Sequence, residues 1–568
     1  MKTERVDDIP LLLAEFEKSK LCELLCTHFP NHGNWQGVDG GKAAVIFLTY
    51  VLSCSDHRIS HVETWAAQRL ITLQCCLSTP DLTAKDLSDD RLGALLDKFS
   101  DDANWNSFEH AHNQRLINVY DLNTDGEAIR LDAMITQSHR SAGGDFQYGH
   151  SKQHRSDLPQ LKTMLATLDP FAMPLFSVTV AGNTADDVLY MPVLEELMNN
   201  LTLLHQLFVG DSKMGSLATR SQIQLKDHYY LVPLSKKQCT PQQLAAYLAD
   251  KPTELVTISK TDKKGVTKVK AKAFERTEKI VNETLGLCWE ERRFIVYSPA
   301  YATRQQIGFE DRLTKAQTAL ELLLHPKQGR KQPKSRAELV QMVDAILKKH
   351  KVVAFIDYHI EEIVSEKKVR AHLNRPEEIR KTIHFNLEFE VNQAAKELHI
   401  DKLGWRVYAC NAPKERLSVA QSVECYRNEY KFEHKFDELL NRVTALMPVY
   451  LHKPNRIKAL ILLLLLALKY VSLIQYQVRT ELKATKQTVK ELYPGNPGRA
   501  TDRPTTNMLL KAFNNITLVI MPIGDDIIVK ISDLKPIQLK ILELLKLPPE
   551  TYLKFNQLFF SHSDLPET

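Results

Sequence analysis

Hydrophobic positions recur at helical spacing through the first part of the chain. Leu11, Leu12, Leu13, Phe16 and Leu21 form one stripe, Ala43 to Leu52 a second apolar segment, and Asp81 to Leu96 reads as short capped helices. From about residue 119 the period shortens. Ala128 to Ile135 is an apolar strand pattern that holds one carboxylate, Asp132; Leu161 to Leu168 and Pro174 to Val180 predict two further strands. Val188 to Leu203 returns to helical period, and Leu207-Phe208-Val209 predicts a short strand that ends at Gly210-Asp211.

Residues from about 222 to 400 break this rhythm. Val266 to Phe274 alternates apolar and basic residues, as a half-exposed strand does, and Arg292 to Ser298 predicts another strand. Gln306 to Leu324 and Ser335 to Lys349 have helical spacing, and Val352 to Glu390 is strand-rich. Leu403 to Ala409 resumes as a clean strand before a long helical pattern, Ser418 to Leu446, and an apolar helix from Ile457 to about Ile474. A polar linker with Pro494, Pro497 and Pro504 leads into a small α/β tail. The longest unbroken apolar run, Ala459 to Leu468, is about half of the roughly 20 residues that a membrane helix needs, so it reads as a buried core helix.

Composition narrows the class. The 568 residues are 43% hydrophobic and 25% charged, which excludes global disorder and allows several domains. The amino-terminal sequence MKTERVDDIP carries acids where an export signal is apolar. Nine irregularly spaced cysteines suit a reducing cytoplasm, and Cys22, Cys26 and His28 lack the second ligand pair of a zinc finger. The net charge of +5 becomes informative through its distribution. Lys260, Lys263, Lys264, Lys268, Lys270 and Lys272 crowd one segment, and Lys327, Arg330, Lys331, Lys334 and Arg336 another.

Gly37 to Lys42 has the flavour of a phosphate loop, but Gln36 and Ala43 stand where Gly and Ser or Thr are required. His150 and His154 lie four apart on a segment without helical pattern, and so do not read as a metal pair. Three acids remain, each on a different element: Asp132 inside an apolar strand, Asp211 at a strand's end, and Glu433 on the long helix. A carboxylate in an apolar strand needs compensation by a cation. Three acids drawn together would repel one another unless divalent ions sat between them, which is the arrangement of two-metal phosphodiester chemistry.

The segment Tyr148-Gly149-His150-Ser151-Lys152, with Arg155 and Asp157-Leu158-Pro159-Gln160, resembles the stretch after the first catalytic Asp in DDE transposases of bacterial insertion sequences. Pro174-Leu175 with Ala181-Gly182-Asn183-Thr184-Ala185-Asp186 is similar to that family's third strand and exit loop. Val209 to Gly215 is similar to its second-Asp segment. Leu87 to Gly93 resembles the amino-terminal region of one branch. The helix from Tyr426 resembles the Y-x2-R-x3-E-x6-K signature, with Tyr426 and Glu433 in register. Glu429 stands where Arg is usual and Leu440 where Lys is usual, and Asp132 is followed by Ala133-Met134 rather than hydroxyl residues.

The resemblance implies an α/β fold: an RNase H-like mixed-sheet core interrupted between its fourth and fifth strands by a β-rich insertion, with a helical amino-terminal domain and a helical carboxy-terminal region. The expected divisions are a DNA-binding domain at 1–118, core at 119–221, insertion at 222–400, core with the Glu-bearing helix at 401–475, and a carboxy-terminal region at 476–568 as a dimerisation candidate. It implies catalysis by Asp132, Asp211 and Glu433, the same three holding two Mg²⁺ ions (or Mn²⁺). Tyr426, Arg427, Lys152, Arg155, Lys268, Lys270 and Lys272 become candidate DNA contacts. Trp289 is the candidate to receive a flipped base, against the alternative of a core tryptophan. The implied activity is cut-and-paste transposition at terminal inverted repeats by a homodimer in a bacterial cytoplasm, near the nucleoid and with no membrane partner. The alternatives are a transposase-derived DNA-binding protein that no longer cuts, motivated by Glu429 and Leu440, and an RNase H-like nuclease.

Overall fold

The computed structural model describes residues 2–33, 35–122, 124, 126–138, 141–149, 155–201, 204–261, 265–324, 333–369, 378–428, 449–523, 526–557 and 559–561. The first strand, β1 (Lys2–Arg5), precedes a run of helices that includes Ile9–Lys18, Gly40–Cys54, Asp89–Phe99 and Asp102–Tyr120. Then come β2 (Ala128–Gln137), β3 (Gln160–Leu168), β4 (Met173–Ala181), the helix Tyr190–Asn200, β5 (Leu207–Val209), the helix Leu217–Leu225 and β6 (Tyr229–Pro233). β2, β3 and β4 form an antiparallel meander, while β2–β5 and β5–β6 are parallel. Read across the sheet the order is β4-β3-β2-β5-β6, the third, second, first, fourth and fifth strands in sequence. That is the RNase H-like mixed sheet that the resemblance implied. β2 and β3 are buried along nearly their whole length because helices cover the sheet.

The insertion does not open where the sequence pattern placed it. Residues 229–233 pair in parallel with β5 and complete the core as its fifth strand. The interruption therefore follows the fifth strand and does not precede it. Nor are the insertion's strands set apart. β7 (Val256–Thr261), β8 (Thr267–Asn282) and β9 (Leu287–Tyr297) form an antiparallel ribbon. β10 (Ile356–Val369) and β11 (Glu378–Val391) make a long hairpin whose base packs against the helices Pro299–Leu324 and Arg336–His350 in a core of their own. β12 (Trp405–Cys410) then runs antiparallel to both β6 and β9, so it welds the ribbon to the core as a single nine-stranded sheet.

A buried ionic network reinforces this join. Glu291 on β9 is fully buried and pairs with Arg293 at 2.6 Å and with Arg220 of the helix Leu217–Leu225. Tyr230 on β6 donates to the same carboxylate at 2.5 Å, and Trp289 Nε1 donates to the Tyr230 hydroxyl at 2.9 Å. Removing one partner from such a network leaves a desolvated charge.

The helix Pro454–Thr485 is long and apolar enough to cross a membrane, but 94% of its most apolar window is buried inside the protein. It packs against β4, the helices Gly40–Cys54 and Asp89–Phe99, and the tail helix Pro536–Leu544. Lys469 in its middle is satisfied internally, donating to Asn113 Oδ1 at 2.7 Å and lying 3.5 Å from Glu109. It is the core helix that its sequence suggests.

The tail is not an appendage. β13 (Thr517–Ile523), β14 (Asp526–Ile531) and β15 (Phe559–Ser561) form a small antiparallel sheet whose other edge is β1. Lys2 to Arg5 reads as polar and forms a strand because β13 offers it a partner, Lys2 lying opposite Ile520. The amino-terminal module and the tail at 476–568 thus share one sheet and one hydrophobic cluster.

Candidate functional site

The register of two parallel strands builds the site. Arg130 on β2 lies opposite Val209 on β5, and two residues further along each chain stand Asp132 and Asp211. Neighbouring strands are about 4.8 Å apart, so the equal offset brings the two carboxylates to the carboxyl end of the parallel pair side by side. Asp132 shares the β2 face of Arg130, since side chains alternate along a strand. Asp132, Asp211, Gly210, Arg130 and Tyr426 line one small cleft of about 20 Å³. Gly210 lets Met214 pack closely: a Cβ there would press on the Met214 side chain.

Each aspartate is fixed by local bonds. Asp132 Oδ1 accepts from the Ala133 N–H at 2.7 Å. Asp211 Oδ1 accepts from the Lys213 N–H and from the Tyr190 hydroxyl, both at 2.8 Å. Among the described residues Asp211 Oδ2 accepts no hydrogen bond, which leaves a hard oxygen donor for a cation. Burial, and then the charges of Asp211 and Asp132, push the Tyr190 hydroxyl well above its ordinary pKa, so it stays a donor. Beside this pair, Asp186 of the loop after β4 receives Lys162 at 2.6 Å and Lys213 at 2.5 Å. Burial works against its charge, but the hydrogen bonds from the two lysines outweigh it and hold the carboxyl below its usual range.

Arg130 joins the strand to the helix Val419–Arg427. Its Nε donates to both oxygens of Asp169 at 2.9 Å, and its guanidinium also donates to the Cys425 carbonyl. That helix starts at a capping box between Ser418 and Gln421 and packs Val423 with Leu231, Val209 and Leu207. Tyr426 comes to the cleft from this helix, its ring 4.8 Å from that of Tyr408.

Other candidates fall elsewhere. Glu433, Lys152, Glu429 and Leu440 lie outside the described residues, as do His150 and His154. Arg155 is exposed and paired with Asp157 at 2.8 Å. Lys268, Lys270 and Lys272 are all exposed on β8, where Lys268 lies opposite Lys260, Lys272 opposite Thr257, and a register shift between them interrupts the alternation of faces. Arg427 turns from the cleft and donates to Ser298 Oγ at 3.0 Å. Trp289 is 8% exposed and bonded to Tyr230, so its position is that of a core tryptophan and its ring is not open to a base. Sequence reasoning missed Tyr190 and Arg130. Nothing local marks Tyr190; Arg130, a second charge two residues before Asp132 in the same apolar strand, was visible.

No curated protein matches the chain. Among solved structures, a piggyBac transposase synaptic complex with hairpin DNA aligns at 10% identity and a TM-score of 0.23, covering 60% of this chain and 72% of that one. The model of the transposase DDE domain matches residues 124–469, which run from the start of β2 through the cleft and the insertion into the core helix. With more than half of its length matched, the chain belongs to the transposase DDE domain family.

Proposed function

We propose that the chain is the cut-and-paste transposase of a bacterial insertion sequence, working as a homodimer on terminal inverted repeats in the cytoplasm, near the nucleoid. The observation that supports the reading is the β2–β5 register, which brings Asp132 beside Asp211 in one cleft. Glu433 completes the acid set in this proposal. The donor set fits a hard divalent cation: two adjacent carboxylates, with one oxygen of Asp211 left without a protein donor among the described residues. When bound, two Mg²⁺ ions (or Mn²⁺) supply activation of the attacking water or 3′-hydroxyl and stabilise the leaving oxygen of an in-line displacement.

The chain's own residues do the rest. Tyr190 and the Lys213 N–H fix the rotamer of Asp211. Arg130 anchors the helix that brings Tyr426 to the cleft. Arg155 and the exposed lysines of β8 are cations suited to hold phosphates. Asp132→Ala, Asp211→Ala and Glu433→Ala should each keep end binding and lose Mg²⁺-dependent nicking; strand transfer by any of them would refute the assignment.

Glu429 and Leu440 favour a second reading, a family member that grips DNA without cutting it. A gel shift beside a nicking assay under Mg²⁺ and Mn²⁺ separates the two, since binding without cleavage supports the second.

A further inference from the structure

A cavity of about 760 Å³ lies in the amino-terminal helical module and shares no residue with the cleft at Asp132 and Asp211. Its walls are aromatic and cationic. The rings of Tyr50 and Trp65 meet edge to face at 5.5 Å. Tyr450, which reaches the cavity from the segment before the helix Pro454–Thr485, is 52% exposed, with Arg58 over its ring at 5.9 Å.

The one acid in the wall is already engaged. Asp56 takes both oxygens' worth of contact from Arg58, at 2.8 to 3.0 Å, and accepts from the Tyr50 hydroxyl at 2.5 Å. Arg69 differs. It is half-buried, lies 5.1 Å over the Trp65 ring and donates to the Trp65 carbonyl at 3.2 Å, and among the described residues it has no ion pair. The charges of Asp7 and Asp8 reach it without forming an ion pair, and a guanidinium held on an aromatic wall with its donors unpaired by carboxylate suits an anion. The exposed ring of Tyr450 in the same wall suits a flat aromatic group.

We infer that this cavity binds a nucleoside phosphate with an unpaired base, the phosphate on Arg69 and the base against the exposed ring of Tyr450. A paired base hides its faces in the stack, so the source favoured here is a single-stranded segment of DNA rather than duplex. The inference rests on the DNA-processing reading above and adds to it a subsite that the acid cleft does not contain.

The test uses the full chain and the ratio of two dissociation constants, for a blunt duplex and for the same duplex with a 3′ oligothymidine tail. The wild-type protein should bind the tailed duplex about tenfold more tightly. Arg69→Gln and Tyr450→Ala should each bring the ratio close to one; Tyr450 is exposed, so its variant is informative even where Arg69→Gln folds poorly. Competition by free dTMP, with no gain from the tail, would support the same chemistry and assign its source to a free nucleotide. A ratio of one without dTMP binding, or a ratio that both variants keep, overturns the inference. Nicking of element ends by the same preparation reports separately on the proposed function, so a protein that nicks and ignores the tail sinks this subsite alone.

Discussion

The Tyr190 hydroxyl donates to Asp211 Oδ1 at 2.8 Å, from a helix that otherwise only covers the sheet. A hydrogen bond to a charged group contributes about 1.5–3 kcal/mol, which corresponds to roughly 10- to 100-fold in rate if it is needed to orient the carboxylate. Tyr190→Phe keeps the ring in its buried place and removes that bond. It should slow nicking within this range and raise the Mg²⁺ concentration for half-maximal activity, with the melting temperature almost unchanged.

Arg130 and Asp169 form an ion pair whose side chains are 5% and 9% exposed. Arg130→Met leaves Asp169 desolvated without its cation and the Cys425 carbonyl without its donor. Breaking a buried pair on one side costs about 3–5 kcal/mol. Urea denaturation should show a loss of this order, and the double variant Arg130→Met with Asp169→Leu should recover much of it.

Asp8 is buried, and desolvation pushes its carboxyl from 3.8 up to about 6, although Ser53 donates to it at 2.6 Å. A raised folded-state value means that the folded protein holds the proton more tightly than the unfolded chain. The resulting stabilisation is present in full below pH 3.8 and is lost as pH rises through about 6. Its size is on the order of 3 kcal/mol. Asp8→Asn should remove this component, so the stability difference between wild type and variant should change between pH 4 and pH 7 in urea titrations.

Lys268, Lys270 and Lys272 stand exposed along β8. Each phosphate contact contributes about 0.9 to the slope of log affinity against log salt. Replacing all three with Ala should flatten that slope by about 2 to 3 and weaken binding to all duplex sequences alike. An unchanged slope would take the ribbon out of the DNA path.

The core was legible where a single element carries its own signal. Asp132 announced itself as a charge within Ile129, Leu131 and Ile135, and the Asp211 turn by its Gly after an apolar triplet. What was hidden depends on partners distant in sequence. Tyr229–Pro233 is five residues long and follows a polar stretch, so only its parallel pairing with β5 identifies it as the fifth strand. Lys2–Arg5 has no apolar face of its own to suggest a strand. Tyr190 has the same helical environment as its neighbours in sequence, and its role appears only when Asp211 is placed beside it.

The pairing of Lys2–Arg5 with β13 also sets an order of assembly. During synthesis the first strand must wait for more than five hundred residues to emerge before its neighbour exists, and Asp7 must wait for the Asn515 N–H that it accepts at 2.7 Å. A product halted before residue 517 therefore leaves the first strand without its neighbour and Tyr552 absent from the Asp7 carbonyl that it bonds.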